Sequence, residues 1–190
     1  SALTILFLFW SITHLARKFV TKGKAPANMA ETIAIVGSGL VGALAYTFSD
    51  TFWFSAVEGE VYATSSLFTA VVFWLMLKWE AIADEPHADR YLVLIAYLMG
   101  LSIGVHLLNL LTIPALAYVF YFRRFKKTGA GILITAILGM LLLGFVQFAL
   151  IPKVVGTAAQ FELLFTNSMG MAFGTGALVY ILALVVLIIL

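Results

Sequence analysis

The chain has no cysteine, which excludes a disulfide framework, a thiolate metal site and a cysteine nucleophile. Charge is nearly as scarce, at 11% of residues. With 63% hydrophobic residues and a mean hydropathy of +1.09, there is too little polar surface to coat a soluble globule. No GxGxxG, P-loop, HExxH or GxSxG pattern occurs. The net charge of +2 is small and its basic residues fall at the ends of apolar runs, a topogenic pattern that sets nucleic acid aside as a partner.

What is present is a series of apolar runs of roughly 15 to 20 residues between short charged segments, where a barrel would alternate over about ten residues. The fold class is therefore all-α, a polytopic transmembrane helical bundle. The chain opens inside an apolar run, Ala2 to Ala16, and closes inside another, Gly176 to Leu190. No basic start or small-residue cleavage site marks a secretory signal. Residues 1–190 are thus expected to be a single transmembrane domain fragment of a longer protein.

A first span, Ala2 to Leu15, ends at Arg17, Lys18, Lys22 and Lys24 with the breakers Gly23 and Pro26. The second, about Thr32 to Phe48, carries Gly37, Ser38, Gly39, Gly42, Ala43 and Ala45, small enough to admit a neighbouring helix. A third, Val61 to Trp79, closes in the charged loop from Glu80 to Arg90. Tyr91 to Phe122 is long for one crossing and short for two at ~1.5 Å per residue. Two short helices with a turn at Val105 to Leu110 bring Arg123, Arg124, Lys126 and Lys127 to the side of Arg17 to Lys24, which one crossing would not do. A sixth span, Gly131 to Ile151, leads to an outer segment, Pro152 to Phe173, and a seventh begins near Gly174. All Lys and Arg except Lys153 then share the cytoplasmic side.

That parity gathers Ser49 to Tyr62, the turn at Val105 to Leu110 and Pro152 to Phe173 on the outer face. They hold Asp50, Glu58, Glu60, His106, Asn109, Lys153, Glu162 and Asn167. A charge near membrane depth costs at least ~2.5 to 3.5 kcal/mol on insertion scales, so three acids in SDTFWFSAVEGEVY are candidates for a functional site. Glu58 and Glu60 diverge by about 200° on a helix but share a face on an extended loop. So close a pair favours one protonated carboxyl, a divalent cation between them, or a basic partner such as His106 or Lys153. The bland alternative makes one of them an N-terminal cap of the third span. Glu58 and Tyr62, four apart, would share a helical face.

Asp50 suits a local turn or cap as well as a site. Phe52, Trp53, Phe54 and Tyr62 suit an interfacial aromatic belt, with sugar stacking as the alternative. His106 and Asn109, three apart in GVHLLNLL, could project together; a single His is a weak metal signal and is often a satisfied structural residue. Gly100, Ser102 and Gly104 read as close helix packing. Lys153 could meet a lipid phosphate or water.

FWFSAVEGEVYATSSLFTAVVFWLMLKWE, followed by ADRYLVLIAYLMGLSIGVHLLNLLTIPALAYVFYF, resembles a bacterial family of polytopic membrane proteins related to protein O-mannosyltransferases, most specifically at Glu58 to Ala63 and Gly100 to Leu111. The resemblance implies the GT-C glycosyltransferase superfamily, about seven membrane-crossing segments here, a bacterial inner-membrane location and a site facing the periplasm. It implies inverting transfer of a sugar, mannose, from a polyprenyl-phosphate donor to Ser/Thr hydroxyls of an exported protein acceptor, among membrane lipids. Members usually carry the main catalytic acid in the first outer loop, expected upstream of Ser1, so the fragment alone is expected to be inactive. Glu60, Glu58 and His106 are the catalytic candidates by this resemblance; Tyr62, Asn109, Lys153, Trp53 and Asp50 are the substrate-binding ones. A divalent cation near Glu58 and Glu60 is the candidate cofactor. Two other classes explain membrane acids: a secondary transporter or channel, and a noncatalytic assembly subunit.

Overall fold

The computed structural model describes residues 1–58 and 61–189. The described residues form helices joined by short turns, with no strand among them. They fall into two compact units, Ser1–Gly139 and Met140–Leu190.

The first unit contains α1 (Ala2–Thr21), α2 (Met29–Thr47), α3 (Asp50–Val57), α4 (Tyr62–Ile82), α5 (Arg90–Ile103), a 3₁₀ turn (Leu107–Thr112), α6 (Ile113–Arg124) and the beginning of α7 (Gly129–Phe145). α1 runs past its expected end at Leu15, because Arg17 and Lys18 still have helical partners. It stops at Lys22, whose left-handed φ of 55° and N–H donation to the Arg17 carbonyl terminate the ladder. α2 begins three residues earlier than the apolar pattern suggests. The Asn28 side chain accepts from the Glu31 N–H at 2.9 Å, while Glu31 accepts from the Ala27 N–H at 2.7 Å.

The small residues of α2 admit α1 as expected, though at specific positions. A Cβ on Gly39 would collide with Phe9 and Thr13, and one on Gly42 would meet Ile12 at 2.6 Å, whereas Gly37 faces open space. α4 is the centre of this unit. It buries Ser65, Val72, Leu75, Met76, Leu77 and Trp79 and packs against α1, α5 and α6. Trp79 is fully buried, stacked on Phe120 at 5.3 Å.

The stretch from Tyr91 to Phe122 forms the two short helices expected, α5 and α6. His106 is the break: its backbone is extended (φ −165°), and Pro114 starts α6, where its missing N–H costs nothing. The return of α6 is fixed by ion pairs. Lys18 joins Glu80, Arg123 joins Asp84, and Arg124 joins Asp89 at 3.0 Å, with Arg123 Nε also donating to the Glu80 carbonyl at 2.9 Å. The C-terminal ends of α1, α4 and α6 are therefore together. The charged loop after α4, which looked featureless in sequence, is the clamp.

One expectation is overturned. The sixth span does not stop at Ile151: α7 passes through a π turn (Val146–Leu150) into α8 (Ile151–Leu163) and a second π turn (Leu164–Ser168). The wider π turn before Pro152 accommodates the missing N–H, so the proline does not break the helix.

Within the second unit, α8 packs against α9 (Thr175–Ile189) through a bend at Gly170 (φ 65°) and Gly174 (φ 93°). Glu162 closes this hairpin. Its Oε1 accepts from the Gly174 N–H at 2.6 Å and the Thr166 hydroxyl at 2.9 Å, and its Oε2 accepts from the Ala177 N–H at 2.9 Å. It thus caps the open N–H groups that begin α9. Gly176 lies against the backbone of Phe161 and Glu162, where no side chain fits.

Among the described residues, four helical stretches are long and apolar enough to cross a membrane: α1, α2, α4 and the continuous run from Gly129 to Ser168. α5 and α9 are apolar but shorter.

Candidate functional site

At the end of the first unit opposite the ion pairs, the last turn of α2, all of α3, the first turn of α4 and the 3₁₀ turn converge. Ser49 starts α3 by accepting from the Phe52 N–H at 3.4 Å and donating to the Tyr46 carbonyl at 2.8 Å. Ser49, and not Asp50, is the cap; Asp50 is the exposed first residue of the helix. Phe52 turns inward, 4.6 Å from the Tyr46 ring, and anchors α3. Trp53 and Phe54 stay exposed on its other side, in keeping with an interfacial belt.

Glu58 ends α3 in extended conformation (φ −66°, ψ 136°), with its side chain exposed. It therefore does not share a helical face with Tyr62, which is the first residue of α4. The N-cap of α4 is Val61, which makes no side-chain hydrogen bond. Glu60, the first catalytic candidate, lies outside the described residues, and so does the proposed cation position between Glu58 and Glu60. Among the described residues no three His, Asp or Glu side chains gather closely enough to hold a metal.

His106 and Tyr62 are brought together, with ring centroids 5.3 Å apart. Nδ1 of His106 accepts from the Leu108 N–H at 3.0 Å, so the neutral imidazole carries its proton on Nε2 and offers a donor there. Asn109 does not join it. It is fully buried, its Nδ2 donating to Ser102 Oγ at 3.0 Å while Ser102 donates to the Met99 carbonyl at 2.7 Å. Asn109 instead holds the 3₁₀ turn onto α5, and its Oδ1 is buried without a partner. Lys153 is an exposed residue of α8, in the second unit.

A cavity of about 570 Å³ opens in the first unit between α1, α2, α4 and the 3₁₀ turn. Its walls are mostly apolar, with Tyr46 at one side and hydroxyls from Thr4, Ser11, Ser66, Thr69 and Thr112 set among them. Thr4 Oγ1 is buried with no partner. Few polar groups in a largely apolar concavity is the usual form of a site for an amphiphilic or ring-bearing ligand. These hydroxyls carry a faint sequence signal: Thr4 and Ser11, seven apart, share a face of α1 and are the only polar residues in its first eleven.

An all-helical chain with four stretches fit to cross a bilayer, and a hydroxyl-studded cavity beside an aromatic-capped end, defines a helical membrane protein. Residues 1–129 match the family described as Protein O-mannosyl-transferase TMEM260 N-terminal domain, and the chain belongs to that family. No curated protein and no solved structure matches the chain.

Proposed function

We propose that this chain is part of a GT-C type membrane glycosyltransferase that transfers mannose from a polyprenyl-phosphate donor to Ser/Thr hydroxyls of exported proteins. The family match over residues 1–129 carries the reading. The pairing of His106 with Tyr62 next to the cavity end supports it at the level of residues. In this reading the protein sits in a bacterial inner membrane with about seven crossings, the ion-paired end is cytoplasmic, and the His106 end faces the periplasm.

The reaction is an inverting displacement. A carboxylate takes the acceptor's hydroxyl proton, the oxygen bonds to the sugar C1, and the C1–O bond to phosphate breaks, leaving the lipid phosphate with the electron pair. This chain's residues take supporting parts. The Nε2–H of His106 donates to the departing phosphate. Glu58 and Glu60 would hold a divalent cation, which would supply positive charge to that phosphate, or would share one proton between them. Tyr62 buttresses the imidazole, Asp50 and Trp53 line the acceptor's approach, and the isoprenoid lies along the apolar cavity. Asn109 acts by fixing the turn. Lys153, on α8 of the second unit, is the basic group that would meet the lipid phosphate.

The test is mannose transfer to a Ser/Thr peptide by the full-length protein carrying Glu60→Gln or His106→Ala. Both variants are expected at normal protein level with reduced transfer. Unaltered transfer in both would remove these residues from the site.

A further inference from the structure

At the ion-paired end a second cavity, of about 430 Å³, lies between α1, α2 and α4. Arg17, Lys78 and His14 line it with Trp10 and Trp74, and among the described residues no carboxylate does. Three cations at this end are matched: Lys18 has Glu80, Arg123 has Asp84, and Arg124 has Asp89. Arg17 and Lys78 have no acidic partner among the described residues. His14 Nε2 is buried there without a hydrogen-bond partner. The floor is aromatic, with Trp10 and Trp74 5.5 Å apart and the Lys78 ammonium 5.2 Å above the Trp74 ring.

We infer that this cavity is a binding site for a phosphate-bearing anion, the headgroup of an anionic phospholipid or free phosphate. Two unmatched cations face one cavity, and a phosphate offers acceptors to both. Arg17 supplies the planar fork that grips two phosphate oxygens and Lys78 a point charge, with His14 in the wall. The position favours the lipid source, since basic pockets between helices at the end of a span bind anionic headgroups. The site is at the end of the unit away from His106, so it stands apart from the transferase reading.

The test is native mass spectrometry of the full-length protein in detergent, titrated separately with phosphatidylglycerol, phosphatidylcholine and orthophosphate. Wild type is expected to retain phosphatidylglycerol in preference to phosphatidylcholine, and Arg17→Gln with Lys78→Gln to weaken this about tenfold. Lys22→Gln with Lys24→Gln, on the adjacent loop, is expected to leave it unchanged. Saturable orthophosphate binding lost in the Arg17/Lys78 variant, without lipid retention, assigns the site to the free anion. Equal loss in the two double variants, or loss in neither, overturns the site. A wild-type measurement removes dependence on folding of the variants: phosphatidylglycerol should slow amine-reactive labelling of Lys78 but not of Lys22 and Lys24. Protection of all three lysines alike, or of none by either anion, overturns it.

Discussion

The imidazole of His106 stands 5.3 Å from the ring of Tyr62, so the first turn of α4 and the bend between α5 and α6 meet at one point. Nδ1 is already engaged by the Leu108 N–H, which leaves Nε2 as the working nitrogen. In the transferase reading, His106→Ala should lower kcat for mannose transfer on the order of 10²-fold, the usual scale for removing one donor to a developing charge. His106→Gln, which keeps an N–H donor, should recover part of it. Equal loss in both variants would argue for a structural role.

Asn109 and Ser102 form a buried polar pair between the 3₁₀ turn and α5. Asn109→Ala removes the amide that satisfies Ser102 and should cost about 1 to 3 kcal/mol. Thermal unfolding of the purified protein reads this directly, and a melting temperature equal to wild type would deny the pair its role.

Gly39 and Gly37 are two apart on α2, yet only Gly39 touches α1. Gly39→Ala should destabilise by roughly 1 to 3 kcal/mol through overpacking against Phe9 and Thr13. Gly37→Ala, facing open space, should be neutral or stabilise by up to about 1 kcal/mol through helix propensity. The pair is compared by melting in one detergent; the reverse order would contradict the contact.

Asp89 sits between the Trp79 indole, which donates to it at 3.1 Å, and Arg124 at 3.0 Å. The indole N–H first and then the guanidinium hold its carboxyl below the usual carboxylate range. A depressed pKa gives stabilisation that is complete above the unfolded value of about 3.9 and is lost as pH falls through the lower native value. The melting-temperature gap between wild type and Asp89→Asn should therefore be widest near pH 6 and narrow on acidification below about pH 4. A gap independent of pH would show that the carboxylate is uncoupled.

Much of the helical layout was legible because apolar runs and breakers are local signals. The bend at His106 followed from the length of Tyr91 to Phe122 and from charge parity, and the small-residue face of α2 did pack against α1. Other features depend on partners remote in sequence. The acids after α4 looked like a solvated loop because Lys18, Arg123 and Arg124 lie far along the chain. Glu162 gave no capping signal because it serves a helix that starts well beyond the reach of a local motif. Pro152 misled because a π turn absorbs what a proline normally breaks. In the candidate site, aromatic character was readable. The burial of Asn109 was not, since Ser102 reaches it only after the chain has turned.

The clamp at the charged end also sets an order of assembly during synthesis. Lys18 precedes Glu80 by 62 positions, Asp84 precedes Arg123 by 39, and Asp89 precedes Arg124 by 35. α1 must therefore wait in the membrane for α4 to arrive, and α4 in turn holds two acids open until the end of α6 emerges. The nascent first unit completes its latch only once Arg124 has been made: before that Lys18 already has Glu80 and Asp89 has the Trp79 indole, while Asp84 has no cation to pair with.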